Sequence, residues 1–388
     1  MKKIVMIFAA SLTSFFLFCQ EVSELHKKFI KGNIAEKTSA VTAASGEDAE
    51  TLSLKAVDFV IENRPLLGAD RDLSALAVAS ILALPKDFKD ESDSSFWGNK
   101  LLAVFDLFED DTVRISVLDR LSSSQSETYH DFAVTLANNY LKTLPDDKTN
   151  SPVTEKAIVS LGNIGNSDSF KIIYDGWICD KWQTFNNEAE AAIKKLSSQS
   201  LPDVIKAISE ADTSTLNKYF SLIKNNSEIT NSFKAEIAEN ALSAAIHNTE
   251  DFSENMADAV AVQLDALQII SENNWTRAAR LADRFFPLAK EEYKTGVMSE
   301  EQFINVINYI ADLSSAESAA TFSDYLAELN KNAEKNIFAA ESVMLAVIKS
   351  LGEMGNKSAF DNLLYVTYLD YSDDVKNKAR EALSKLKW

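Results

Sequence analysis

The chain has 388 residues, 46% of them hydrophobic, and 58 Asp+Glu against 39 Lys+Arg give it a formal charge of −19. A surface this negative repels phosphate backbones and anionic headgroups, so nucleic acid is excluded as a partner and a bilayer contact is expected only through a covalent N-terminal anchor. Only 6 prolines and 10 glycines punctuate it, which predicts an all-α protein with short connections.

Residues 1–19 open the chain with Lys2 and Lys3, followed by an apolar run from Ile4 to Phe18. That run is short for a bilayer span and has the charge-then-apolar order of an export signal. The protein is therefore expected to be exported, either to the periplasm or as a membrane-anchored lipoprotein. Cys19 stands where a bacterial lipoprotein signal places its acylated cysteine, although Phe18 replaces the small residue such a signal carries before it. Two readings stay open, lipidation of Cys19 and ordinary cleavage beside it. Residues 20–50 are polar, include "EKTSAVTAASGEDAE", and read as a flexible tether. Residues 51–388 read as the folded domain.

Within that domain the sequence repeats itself. "SLGNIGNSDSF" at Ser160–Phe170 returns as "SLGEMGNKSAF" at Ser350–Phe360, an offset of 190 residues. The match continues without a gap: Ile173 falls on Leu363, Ala189 on Ala379, Ala192 on Ala382, Ile193 on Leu383 and Leu196 on Leu386. A second match, at an offset of 262, lays Asp111, Val113, Arg114, Val117 and Leu121 on Asp373, Val375, Lys376, Ala379 and Leu383. One unit of roughly 37–38 residues divides the first offset by five and the second by seven, near the length of a helical-hairpin repeat. In such a unit "VTEKAIVSLG" forms the first helix, with Ala157, Ile158 and Leu161 on one face and Gly162 admitting a neighbour. Gly165 is expected to close that helix in the left-handed conformation, and Asn166 or Ser167 to cap the next, which presents Phe170, Ile173 and Trp177.

These strings, with Asp111-Thr112-Val113-Arg114 and Asp373-Asp374-Val375-Lys376, resemble HEAT-type repeats. The resemblance is good at two units, partial at Asp72–Phe88 and weak between Leu201 and Lys335. It implies an α-solenoid of stacked helical hairpins. The middle still carries amphipathic helices, as in "MADAVAVQLDALQII" and "QFINVINYIADL", and a separate helical bundle is the alternative there.

Catalytic vocabulary is nearly absent. The three histidines (His26, His130, His247) have no second ligand at helical spacing, and no zinc, phosphate-loop, nucleophile-elbow or calcium-loop motif occurs. No catalytic residue, cofactor or metal is expected. Cys179, the second of two cysteines, reads as a small buried hydrophobe. The acidic runs Glu109–Asp111, Asp146–Asp147 and Asp373–Asp374 read as helix starts, where carboxylates cap N–H groups and meet the helix dipole.

Two features are candidates for partner contact. Arg277, Arg280 and Arg284 share one helix face behind Trp275 and suit an acidic segment, or else pair with carboxylates of the next repeat. Trp177 and Trp182, with Tyr174 and Phe185, either form a binding hot spot or fill the core. The expected function is a non-enzymatic cell-envelope scaffold that binds a protein or peptide. A hydrolase or lyase using carboxylates in the groove of the solenoid is the alternative.

Overall fold

The computed structural model describes residues 24–85, 91–249 and 255–387. It is all-α, and it divides into two compact units, Met1–Leu196 and Ser197–Trp388. In the first, α1 (24–31) precedes α2 (Ile34–Ala43), α3 (Glu47–Leu67), α4 (Arg71–Ala83), α5 (Glu91–Leu107), α6 (Asp111–Ser122), α7 (Glu127–Thr143), α8 (Pro152–Ile164), α9 (Ser167–Ile178) and α10 (Asn186–Ser197). The second holds α11 (Leu201–Glu210), α12 (Thr213–Ile223), α13 (Asn231–Thr249), α14 (Met256–Glu272), α15 (Ala279–Lys294), α16 (Glu300–Asp312), α17 (Ala316–Ala333), α18 (Glu341–Met354), α19 (Phe360–Val366) and α20 (Asp373–Lys385).

Most helices pack on at least one chain neighbour and on the helix two places along. In the first unit α2, α4, α6 and α8 pack in succession as one layer, and α3, α5, α7 and α9 as the other. The second unit repeats this with α12, α14, α16, α18 and α20 against α11, α13, α15, α17 and α19. Both units are therefore stacks of helical hairpins. The weakly patterned middle shares this packing, because its helices keep an apolar stripe although the glycine-bearing turn is lost. From α8 to α18 is five hairpins and from α6 to α20 is seven, as the two sequence offsets require. Individual units vary: successive helices of the even-numbered layer begin at 34, 71, 111, 152 and 186 in the first unit and at 213, 256, 300, 341 and 373 in the second.

The repeat is also written in polar bonds between side chains or carbonyls one hairpin apart. Arg120 Nη2 donates to Leu82 O at 2.6 Å, Lys181 Nζ to Leu144 O at 3.0 Å, Asn217 Nδ2 to Asp258 Oδ1 at 2.9 Å and Ser271 Oγ to Asp312 Oδ2 at 2.6 Å. Lys156 pairs with Asp119 and Lys224 with Asp265 in the same way. Stacking neighbours buries a continuous apolar core that no single hairpin could enclose.

The twin strings occupy equivalent joints. Gly162 of α8 lies against Ala192 of α10, and Gly352 of α18 against Ala382 of α20; a Cβ added at either glycine would stand 2.8 or 2.9 Å from the alanine Cα. Both alanines are buried. The two turns that follow differ. Gly355 takes the left-handed conformation with φ 65°, but Gly165 is extended with φ −70° and ψ 177°. The expected left-handed closure at Gly165 therefore does not occur. What excludes a side chain there is space, since a Cβ would meet Leu161 O and Ser169. Asn166 then caps α9 in a reciprocal capping box with Ser169, and Asn356 accepts from Ser358 N to open a 3-10 turn before α19.

Two further expectations are corrected. Within the segment 20–50, read as a tether, residues 24–31 and α2 are helical. Asn33 and Glu36 form a capping box, Ala40 and Val41 are buried, and Lys37 sends its amine onto Phe29 O and Ile30 O while its stem is covered. Cys179, expected inside, is exposed at the C-terminal cap of α9, because it falls two residues past Trp177, where the buried face of α9 ends. The signal segment 1–19 with Cys19 lies outside the described residues. Among the described residues no helix is long and apolar enough to cross a membrane.

Candidate functional site

Most acidic runs do what helix starts require. Asp110 caps α6, accepting from Thr112 N and Val113 N. Its side-chain bond from Thr112, aided by the two amides, holds its carboxyl below the usual carboxylate range. Asp373 and Asp374 fill the first turn of α20 behind the cap Ser372. No group of three or more His, Cys, Asp or Glu side chains among the described residues is arranged to hold a metal. His130 is engaged locally, its Nε2 2.7 Å from Ser124 O.

The arginine stripe lies in the second unit. Trp275 and Arg277 sit in and just before the 3-10 turn Thr276–Ala278 that leads into α15. Trp275 is half-buried and its Nε1 donates to Glu239 Oε2 at 2.7 Å. Arg277 donates from Nε to the same oxygen at 2.8 Å and from Nη2 to Glu236 Oε1 at 3.2 Å. Its guanidinium stands 4.8 Å from the Trp275 ring centroid. The bonds from Glu239 and then Glu236 hold Arg277 still more firmly in its charged form. So Arg277 and Trp275 are both tied to α13, the helix one hairpin back.

Arg280 and Arg284 follow one helical turn apart on α15 and are exposed. Neither makes an ion pair with a described residue. Asp283, between them in sequence, turns the other way and accepts from Ser315 Oγ at 3.2 Å and Ser318 Oγ at 2.6 Å at the start of α17. Burial raises the Asp283 carboxyl, and the two serine bonds oppose that rise. The result is two cations on α15, without an ion pair to a described residue, beside one committed cation in the turn that precedes the helix.

The tryptophans of the first unit are placed otherwise. Trp177 and Trp182 are each 2% exposed. Trp182 Nε1 donates to Ile173 O at 3.0 Å, and its ring presses on α9 where Gly176 leaves room. Tyr174 stacks on Phe170 at 5.5 Å and meets Trp177 at 6.3 Å. These rings are core side chains, with no face left for a partner, and Phe185 is half-buried.

One feature of the first unit was not foreseen. A cleft of about 630 Å³ lies between the α5–α6 turn, α7 and the α7–α8 turn. Asp106, Glu109, Asp111 and Asp147 line it together with Arg114 and Lys148. Arg114 is committed there: its Nε donates to Phe108 O at 2.6 Å and its guanidinium lies 5.0 Å from the Phe105 ring centroid. Asp111 accepts from Ser151 Oγ at 3.2 Å. In the sequence these residues stand about one repeat apart, so only the period itself could have brought them together.

Compared with known protein families the chain matches none, and no curated protein matches it. The fold and its surfaces define the class, an all-α stack of helical hairpins.

Proposed function

We propose that the protein is a non-enzymatic cell-envelope scaffold of HEAT-type repeats that binds an acidic segment of a protein or peptide on the α15 face of its second unit. The carrying observation is the pair Arg280 and Arg284, exposed and without an ion-pair partner among the described residues, in a chain of net charge −19. Arginine forks recognise carboxylates bidentately, and the strongly negative remainder of the molecule disfavours acidic partners elsewhere. Export is supported by Lys2, Lys3 and the apolar run that follows. Lipidation of Cys19 and ordinary cleavage beside it both stay open, and labelling with a fatty acid in wild type and Cys19→Ala separates them.

Crosslinking in intact cells is expected to trap one defined protein, and to trap much less of it with Arg280→Glu/Arg284→Glu. A chain that stays partnerless in every envelope fraction contradicts the proposal. The second reading, carboxylate-based hydrolysis or lyase chemistry, draws on the cleft of the first unit, where carboxylates from two successive hairpins converge. It needs one carboxyl kept protonated near neutral pH. The carboxyl pushed furthest in that direction is Glu292, which is sealed in the core of the other unit, so the binding reading is preferred.

A further inference from the structure

Glu292 is fully buried, a carboxylate at the end of the apolar stripe Ala282–Phe285–Phe286–Ala289 of α15. Gln263 is equally buried on the inner face of α14. Gln263 Nε2 donates to Glu292 Oε1 at 3.1 Å, bridging the two layers within one hairpin. The partner atoms on the same two groups, Gln263 Oε1 and Glu292 Oε2, are buried and have no hydrogen-bond partner. Both are acceptors when the carboxyl is ionised, so no rotation of either group lets them satisfy each other. Leaving two acceptors orphaned in a core is costly, and leaving one of them charged is costlier.

We propose that Glu292 and Gln263 form a built-in proton site: with a proton on Oε2, Glu292 donates to Gln263 Oε1 while Gln263 Nε2 donates to Glu292 Oε1, and loss of that proton loosens the α14–α15 hairpin. One added proton satisfies both orphaned oxygens and removes the buried charge. The reciprocal acid–amide pair is then equivalent to an amide–amide pair.

The electrostatics of the site agree with the geometry. Burial raises the Glu292 carboxyl to about 7, opposed only by the bond from Gln263. Several charged residues of the packed helices are engaged elsewhere: Lys224 with Asp265, Glu236 and Glu239 with Arg277, Asp312 with Ser271, Lys290 with Glu328, and Glu300 with Ser342; Arg280 and Arg284 of α15 itself are exposed. Next to Glu292, Tyr293 stacks on Phe303 at 4.8 Å and is held neutral by burial.

The sign follows from linkage. The folded state binds this proton more tightly than the unfolded chain, so the stabilisation is full below about 4.5 and is lost as pH rises through about 7. Between pH 5 and pH 8 the folding equilibrium constant of the second unit should fall by roughly 70-fold from this group.

Two measurements test the proposal. In wild type, the side-chain carboxyl carbon of Glu292, followed by NMR in the folded protein, should titrate near neutrality. A midpoint near that of an ordinary glutamate overturns the proposal, and this arm needs no variant to fold. In Glu292→Gln, which supplies the amide–amide pair, unfolding of the second unit should lose that roughly 70-fold component of its change between pH 5 and pH 8. The variant should match wild type at pH 5 and exceed it at pH 8. An unchanged pH dependence overturns the proposal.

Discussion

Replacing Gly162 with alanine separates this packing from ordinary helix behaviour. In an unobstructed helix interior, Gly→Ala gains about 1 kcal/mol from helix propensity. Here the new Cβ would stand 2.8 Å from both Cα and Cβ of Ala192, whereas ordinary contact begins near 3.4 Å. Neither obstructing atom can rotate away, so α8 and α10 must separate. Overpacking of this kind costs typically 1–3 kcal/mol, and with both obstructions rigid the upper half of that range applies. The net effect is a loss of roughly 1–2 kcal/mol after the propensity gain. Gly352→Ala should lose a similar amount, because its Cβ would stand 2.9 Å from Ala382 Cα and Cβ. Urea unfolding gives the magnitude, and hydrogen exchange read over α8–α10 and over α18–α20 should place each loss at its own joint. If both variants gain about 1 kcal/mol instead, the close approach of the helices is refuted.

Three further outcomes follow from single contacts. Asn166→Ala removes the capping box of α9 and should cost about 1 kcal/mol in urea unfolding, whereas Asn166→Ser should keep most of it. Trp182→Ala empties a buried site and breaks the bond to Ile173 O; a loss of about 3–5 kcal/mol is expected, and a neutral result would mean the ring is not core. Cys179, exposed at the end of α9, should react with a maleimide in the folded protein without denaturant, and protection until unfolding would show the helix to end elsewhere.

The architecture was largely legible because its joints recur as residues. A glycine facing an alanine at a helix crossing tolerates almost no substitution by a larger residue, so Gly162 with Ala192 and Gly352 with Ala382 kept a common spacing. The segment 20–50 reads as a linker because it is polar. The Asn33-x-x-Glu36 capping box and the apolar stripe around Ala40 and Val41 were present in it all the same. Gly165 stands where a helix C-cap favours the left-handed conformation, yet the close approach of Leu161 O and Ser169 decides the position. Cys179 reads as buried beside Trp177 and Ile178, while helical register decides its exposure.

The surfaces were less legible. The alternatives for the arginine stripe divided by residue, with Arg277 paired to α13 and Arg280 and Arg284 left open. A sequence shows the shared face but not which carboxylates of the preceding hairpin reach it. Glu292 sits in "AKEEYK", which reads as solvated. Only the spacing from Phe285 and Ala289 marks it as inward-facing, and its partner Gln263 is polar and outside any motif.

The most direct test of the binding account uses a photo-crosslinking residue at position 287 on α15, one turn past Arg284 and exposed, with position 349 on α18, also exposed, as the comparison. Irradiation of intact cells should yield one protein adduct from position 287, little from position 349, and a marked loss of the first when Arg280→Glu/Arg284→Glu is added. Equal adducts from both positions, or an adduct from 287 that survives the charge reversal, would contradict it.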